Sequence, residues 1–400
     1  AKNVSKVSII VKSSAIKDNN PEIKEAQKRK IKIIKRAEML GHVVSLKKNI
    51  IITGSHGKTT TTSLVAKILS EGNLDPTIVN GGVVNSLGGS AKLGKGDWSV
   101  LEADESDGSF LNLPINYSIV TNLDKEHLDF YKNFQNLKKS FEKFINKTPA
   151  FGKCFINLDD IELKRITSKM SNKNFFTYGF NKNSNYKIFN TVYKRSYSIF
   201  NLKVSTPLFK NKLIKNIKVN LIGSHNILNA AAAVALTDYI GVNIKVIKRS
   251  LKNFAGIQRR MTKVLKHRQN DFFDDYAHHP TEISSVLDGV RKVYNKEEIV
   301  CIFQPHRISR LKNLKIEFSK CFNKANTVLL CPIYKAGEKI KLGFSYNSFA
   351  KLISKNSKVD LIILKNQSDL NKVIKNLAFG NKIFIAMGAG SISSWVRNLY

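Results

Sequence analysis

The sequence predicts an α/β protein built on two helix-covered sheets. Three observations predict it. Short β-branched runs alternate with helical stretches through most of the chain, as parallel strands joined by crossover helices do. Polar clusters sit at the tips of several of these runs, where open α/β sheets bind ligands. The chain has 400 residues, 42% of them hydrophobic, more than one core holds, because single cores rarely grow past roughly 250 to 300 residues.

In chain order, residues 1–46 hold a short strand at 7–11, a charged helix-prone segment at 21–30 and a strand at 31–34, too little for a domain. A strand at 50–53 then leads through a glycine turn into a helix ending near Glu71, and strands follow at 77–79, 99–103 and 118–121. Between 174 and 220 polar and apolar residues alternate, as in Tyr197-Ser-Ile-Phe-Asn-Leu-Lys-Val204, which predicts antiparallel strands at one edge of the same sheet. An alanine-rich helix at 226–239 stops at Gly241, and another ends near Phe254. After Gly256 strands are expected at 271–275, 299–303, 327–331, 360–364 and 382–386, each followed by a helical stretch. The expected domains are 1–46, 47–255 and 256–400, the last a second doubly wound sheet.

No apolar run approaches the ~20 residues that cross a bilayer, and residues 1–12 lack the apolar stretch of a signal peptide. A soluble, cytoplasmic protein is expected. Cys154, Cys301, Cys321 and Cys331 form no C-x-x-C pair, which argues for free thiols over zinc or disulfides. The net charge of +36 raises nucleic-acid binding, yet the excess is spread along the chain as lysine, with no basic stripe interleaved with aromatics. No nucleic-acid partner is expected, while a basic field suits anionic small substrates.

The sharpest motif is Thr53-Gly-Ser-His-Gly-Lys-Thr-Thr60, between a β-branched strand and a helix. Backbone N–H groups of such a turn and the positive helix end receive phosphate oxygens. Lys58 can reach the β- and γ-phosphates and Thr59 can join a Mg²⁺ shell, although the G-x-x-G-K-T spacing is two residues shorter than the general phosphate loop. Next, an apolar strand ends in Glu102, Asp104, Glu105 and Asp107, carboxylates that repel one another unless a cation sits among them. The competing reading is a solvated acidic loop. A third tip, Val120-Thr-Asn-Leu-Asp-Lys-Glu-His-Leu-Asp129, offers His127 to the same metal.

Asn226 and Asn229 lie one helical turn apart at a helix start; one asparagine there often only caps the helix, and the pair suggests a ligand contact. The last third supplies Ile257-Gln-Arg-Arg-Met261, Asp274-Asp-Tyr-Ala-His-His-Pro-Thr-Glu282 and Phe303-Gln-Pro-His-Arg-Ile-Ser-Arg310. An arginine at a hinge can clamp a phosphate as domains close; the competing reading of Arg259 and Arg260 is a solvated charge pair.

Taken together and in this order, G-S-H-G-K-T-T-T-T, E-A-D-E-S-D-G-S-F, D-D-Y-A-H-H-P-T-E and F-Q-P-H-R resemble the Mur ligases, over nearly the whole chain. The E-S-D-G-S-F wording favours the branch that adds L-alanine over those adding a murein tripeptide or another amino acid; folylpolyglutamate synthases share the short loop but not the D-D-Y-A-H-H-P segment. The resemblance implies a central P-loop-type, mostly parallel sheet, a C-terminal Rossmann-like domain, and an N-terminally truncated remnant of a Rossmann-like domain that lacks the family's opening strand, G-x-G-G-x-G-M turn and helix, so that weak binding of the uridine nucleotide is expected. It also implies ATP and Mg²⁺, with UDP-N-acetylmuramate and L-alanine as substrates, in peptidoglycan synthesis. By resemblance, Gly54, Ser55, His56, Gly57, Lys58, Thr59 and Thr60 hold the phosphates, with Asn226, Asn229, Arg260 and Asp275 at the nucleotide. Lys58, Glu102, His127 and Arg260 are the implied catalytic set, Thr59, Glu102 and His127 the implied metal ligands, and Tyr276, His278, His279, His306, Arg307 and Arg310 the implied substrate patch. Glu126 stands where relatives usually carry aspartate.

Overall fold

Ile50, Ile51 and Ile52 are wholly buried, which places their strand inside a sheet covered on both faces. The computed structural model describes residues 2–13, 16–85 and 88–399. Among these, β1 (Ile9–Lys12) and β2 (Lys32–Lys35) pair in parallel as a small sheet of their own. Asn20 caps the intervening helix, Pro21–Lys28, by accepting from Glu22 N, and Pro21 sits where its missing N–H costs nothing.

The central sheet contains β3 (Lys48–Thr53), β4 (Thr77–Val84), β5 (Gly89–Lys92), β6 (Trp98–Glu102), β7 (Tyr117–Val120), β8 (Lys153–Asn157), β9 (Phe175–Gly179), β10 (Tyr186–Tyr193), β11 (Ser198–Val204) and β12 (Lys212–Val219). Its order is β12-β11-β10-β9-β8-β7-β3-β6-β4-β5. β3 lies between β6 and β7, parallel to both, with Ile52 opposite Glu102 and Thr53 opposite Val120. That register sets three C-terminal tips side by side: the glycine turn after Thr53, the acids from Glu102, and the segment after Val120.

One expectation for this sheet needs correction. The edge is antiparallel only across β10, β11 and β12; β9 runs parallel to both β8 and β10. β9, Phe-Phe-Thr-Tyr-Gly, does not alternate and is buried at nearly every residue, as a strand covered on both faces is; the alternation belongs to β10, β11 and β12. β5 and β8 are further strands of this sheet: β5 is short and largely exposed, and β8 follows a turn at Pro149–Gly152 closed by Gly152 N donating to Pro149 O at 2.9 Å.

One face is covered by the helices Lys58–Glu71, Ser224–Tyr239 and Ile244–Lys252, the other by Phe134–Asn146 and Ile161–Lys169. Ala230, Ala231, Ala232, Ala233 and Ala235 are fully buried, and their small side chains let Ser224–Tyr239 pack closely on Lys58–Glu71.

The last sheet contains β13 (Thr262–His267), β14 (Asn270–Asp275), β15 (Glu298–Phe303), β16 (Thr327–Leu330), β17 (Asp360–Ile363) and β18 (Lys382–Met387), in the order β13-β14-β18-β15-β16-β17. All neighbours are parallel except β13, an edge strand the sequence reading did not anticipate, which turns back on β14. Asp275 and Phe303 both register against Met387, so the segments after β14 and β15 emerge together. All four cysteines are free and buried. No helix among the described residues is long and apolar enough to cross a membrane.

Candidate active site

The turn after β3 is possible only with glycine at two places. Gly54 has φ +135° and its missing side chain makes room for the Thr121 hydroxyl; Gly57 has φ +81° and abuts Asn229, whose Oδ1 would lie 2.5 Å from a Cβ there. Asn122 brackets the turn: its Oδ1 accepts from His56 N at 2.7 Å and its Nδ2 donates to His56 O at 3.0 Å. The turn is therefore fixed by β7's tip before any ligand arrives.

Lys58 opens the helix and folds its ammonium onto Gly54 O at 2.6 Å, Ser55 O at 3.2 Å and Glu105 Oε2 at 2.8 Å. Burial opposes its charge, but Glu105 and Glu102 more than offset that and hold its pKa above the ordinary lysine value. Glu102 lies at the end of β6, where Oε1 accepts from Thr59 Oγ1 at 3.1 Å and Oε2 from Gly81 N at 2.7 Å. A Cβ on Gly81 would stand 2.6 Å from Glu102 Oε1, so this approach also needs glycine.

The resemblance groups His127 with Glu102 at a metal; in the structure the His127 ring faces Glu105. His127 Nε2 is 3.4 Å from Glu105 Oε1 and 3.8 Å from Glu126 Oε2. Beyond its strand an acidic run no longer alternates faces, so sequence position does not say which carboxyl turns inward. Glu105 is buried; burial favours its protonated form, while Lys58 and His127 hold it below the ordinary carboxylate range. Asp104, Glu105 and His127 offer three donor atoms within 4.8 Å of one another, and buried Glu105 Oε1 accepts no hydrogen bond. Two carboxylates and an imidazole around an unsatisfied oxygen fit a divalent cation such as Mg²⁺.

A cleft of about 720 Å³ separates the central and last sheets. Of the residues singled out in the sequence, His56, Gly57, Thr60, Asn226, Asn229, Arg260 and Asp275 line it. Asn226 does not cap its helix; its Nδ2 donates back to Ile222 O at 2.8 Å, and its Oδ1 accepts from Asn229 Nδ2 at 3.3 Å. Asp275 accepts from Met261 N and Ala277 N, each at 2.8 Å. Burial pushes its pKa up to about 6, with Arg260 pulling the other way. Arg259 and Arg260 are no solvated pair. Arg259 is held by Gly388 O and lies near Asp274, while Arg260 turns into the cleft, 3.9 Å from Glu282 Oε1 and over the Tyr276 ring.

The implied substrate patch divides. Tyr276, His278, His306 and Arg310 form a band: His278 Nδ1 meets Tyr276 O at 2.9 Å, its ring is 5.8 Å from that of His306, and Arg310 Nη1 is 3.4 Å from His306 Nδ1. Burial holds His278 and His306 down at about 4, with Arg310 adding repulsion, so both are neutral near pH 7. Arg307 is exposed at a backbone φ of +68°. His279 leaves the band and packs on His56, ring centroids 4.9 Å apart.

Three acids absent from the expected site tie these groups together. Asp124 Oδ2 contacts His56 Nε2 at 3.1 Å and accepts from Thr281 of the opposite sheet. Glu282 Oε2 accepts from His278 N at 3.0 Å and His279 N at 3.3 Å, and its Oε1 faces His56 Nδ1 at 3.4 Å. Glu126 Oε1 reaches Arg310 Nη2 at 3.5 Å. Burial opposes charge on His56, yet Asp124 and Glu282 lift its pKa to about 10. Glu282 stands three residues into a helix opened by Pro280, a capping signal visible in the sequence; Asp124 carried no such sign.

A glycine turn between strand and helix, facing a second, mostly parallel sheet across a cleft lined by cations and carboxylates, has the form of a P-loop closed over by a separate α/β unit. Comparison with known proteins makes this specific. Residues 52–237 match the family model described as Mur ligase middle domain, residues 259–390 that described as Mur ligase, glutamate ligase domain, and residues 1–48 that described as Mur ligase family, catalytic domain. The chain belongs to the Mur ligase family. A UDP-N-acetylmuramate--L-alanine ligase of Pelagibacter ubique is 58% identical over 398 residues, covering 100% of this chain and 86% of that protein. One of Bartonella bacilliformis is 38% identical over 400 residues, covering 100% and 84%. The crystal structure of UDP-N-acetylmuramate-alanine ligase MurC from Thermotoga maritima aligns with a TM-score of 0.81 at 28% identity, covering 100% of this chain and 85% of that one.

Proposed function

We propose that this chain joins L-alanine to the lactyl carboxylate of UDP-N-acetylmuramate in the cytoplasm, with conversion of ATP to ADP and phosphate, for peptidoglycan synthesis. The observation that carries the reading is the convergence of Gly57, Asn226 and Asn229 from one sheet with Arg260 and Asp275 from the other on a single cleft. We take 1–46, 47–255 and 256–400 as its domains, a division supported by the three sheets and by the spans of the family matches.

In this reading the N–H groups of the turn and Lys58 hold the β- and γ-phosphates, Asn226 and Asn229 position the nucleotide, and Arg260 meets the γ-phosphate from across the cleft. Asp104, Glu105 and His127, with Glu102 and Thr59 beside the turn, would hold Mg²⁺, which supplies charge screening at the phosphates. The lactyl carboxylate attacks the γ-phosphorus and ADP leaves, giving an acyl phosphate. The amine of L-alanine then attacks the acyl carbon, phosphate leaves, and the amine's proton passes to a base. Held down at about 4, His278 and His306 are too weakly basic to keep that proton; in this reading they would orient the incoming amine by accepting from its N–H while water takes the proton, and Arg310 would steady the oxyanion. Closure of the two sheets keeps water from the acyl phosphate.

The test is phosphate release from ATP with UDP-N-acetylmuramate and, in turn, L-alanine, glycine, L-serine and a murein tripeptide. The highest kcat/KM is expected with L-alanine. Preference for the tripeptide would reassign the chain within the family.

A further inference from the structure

Three side chains from three segments converge beside the phosphate turn with a spacing that suits a metal ion other than Mg²⁺. His56 Nε2 is 3.1 Å from Asp124 Oδ2, His279 Nδ1 is 3.4 Å from the same oxygen, and all three donor atoms lie within 4.8 Å of one another. A tetrahedral Zn²⁺ with N and O ligands at about 2.0–2.2 Å separates neighbouring donors by roughly 3.3 Å. Two of the three separations already have that value.

His279 supplies an independent observation. Its side chain is 3% exposed, and its ring nitrogens have only loose charged neighbours, Asp124 Oδ2 at 3.4 Å from Nδ1 and Glu126 Oε1 at 4.0 Å from Nε2, with no hydrogen bond at either. Buried imidazole nitrogens are almost always hydrogen-bonded, because one that is not has given up water without a replacement of equal strength. Its neighbour His278, by contrast, is paired with Tyr276 O.

We propose that His56, Asp124 and His279 form a binding site for a borderline-soft divalent cation of the Zn²⁺ and Co²⁺ class, joining the phosphate turn to the last sheet. Two imidazoles with one carboxylate select such ions over Mg²⁺, which prefers oxygen. The site is separate from the Asp104, Glu105 and His127 group, and its acidic surroundings, Asp124 with Glu282 and Glu126 beyond, favour a dication. Arg260 and Arg310 partly balance those outer acids and are held by them. Because His56 and Asp124 come from the central sheet and His279 from the other, a bound ion fastens the cleft shut. The ion would replace the proton on His56 Nε2, which leaves to solvent while Nδ1 keeps its own toward Glu282, and three protein ligands leave a fourth position for water or a nucleotide oxygen.

The test is titration of Co²⁺ into the full chain without nucleotide, followed by visible absorption, which distinguishes intensely absorbing tetrahedral Co²⁺ from nearly colourless octahedral Co²⁺. The expected result is one equivalent of tetrahedral ion, displaced by one equivalent of Zn²⁺. His279→Ala and His56→Gln, from opposite sides of the cleft, should each lose the band while circular dichroism shows them folded. His278→Ala should keep it. Absence of the band in the natural chain, its survival in both His279→Ala and His56→Gln, or its loss in His278→Ala overturns the proposal.

Discussion

Gly57 and Asn229 leave no room for a side chain between them: a Cβ on Gly57 would lie 2.5 Å from Asn229 Oδ1, and the backbone there is left-handed at φ +81°. Gly57→Ala is expected to cost about 1–2 kcal/mol through the backbone alone. It should also displace Asn229 from the cleft and raise the KM for ATP about tenfold or more, equivalent to ~1.4 kcal/mol of binding. Initial-rate measurement of ADP release checks this, and an unchanged KM would detach the turn from the nucleotide.

Lys58 and Glu105 form a buried pair, which separates chemistry from stability. Lys58→Ala strands the Glu105 carboxylate in the interior and should destabilise the fold by about 3–5 kcal/mol. Adding Glu105→Gln should recover much of that stability in denaturant titration, while ADP release stays abolished in both variants. Turnover in either variant would remove Lys58 from the mechanism.

Asp275 gives a pH signature. Its folded-state pKa, about 6, lies above its ordinary 3.8, so its favourable contribution to stability is complete below the lower value and is lost as pH rises through the higher. Stability of the natural chain relative to Asp275→Asn should therefore fall by up to about 3 kcal/mol across that interval. Unfolding curves at a series of pH values test it. Asp275→Ala should also weaken ATP binding more than UDP-sugar binding, as calorimetry can compare.

Gly81→Ala would press on Glu102 at 2.6 Å and break the bond from Gly81 N that holds it. The Mg²⁺ concentration for half-maximal turnover should rise severalfold, with little change in the KM for L-alanine. An equal effect on both would place Glu102 away from the metal.

The phosphate turn was legible because its constraints are local: glycines at fixed offsets, a β-branched strand before and a helix after. The doubly wound last sheet was legible for the same reason, its buried strands being continuous apolar runs. What escaped depends on contacts between distant segments. The direction of β9 is set by which neighbour it joins, the choice of Glu105 over Glu102 as the partner of His127 by loop geometry past a strand end, and the pairing of Asp124 with Thr281 by closure of two sheets. The departure of His279 from His278 belongs here too, because adjacent residues at a helix start point to different neighbours.

The four cysteines offer a clock. Burial pushes Cys154 and Cys331 up to about 12, and Cys301 and Cys321 rise for the same reason, so a thiolate forms only when the surrounding core opens. Cys154 lies in the central sheet, Cys301 on a strand of the last sheet, and Cys321 and Cys331 are packed around that same sheet. The rate at which each is alkylated, resolved by mass spectrometry, would time the unfastening of the two halves separately, without any label added to the chain.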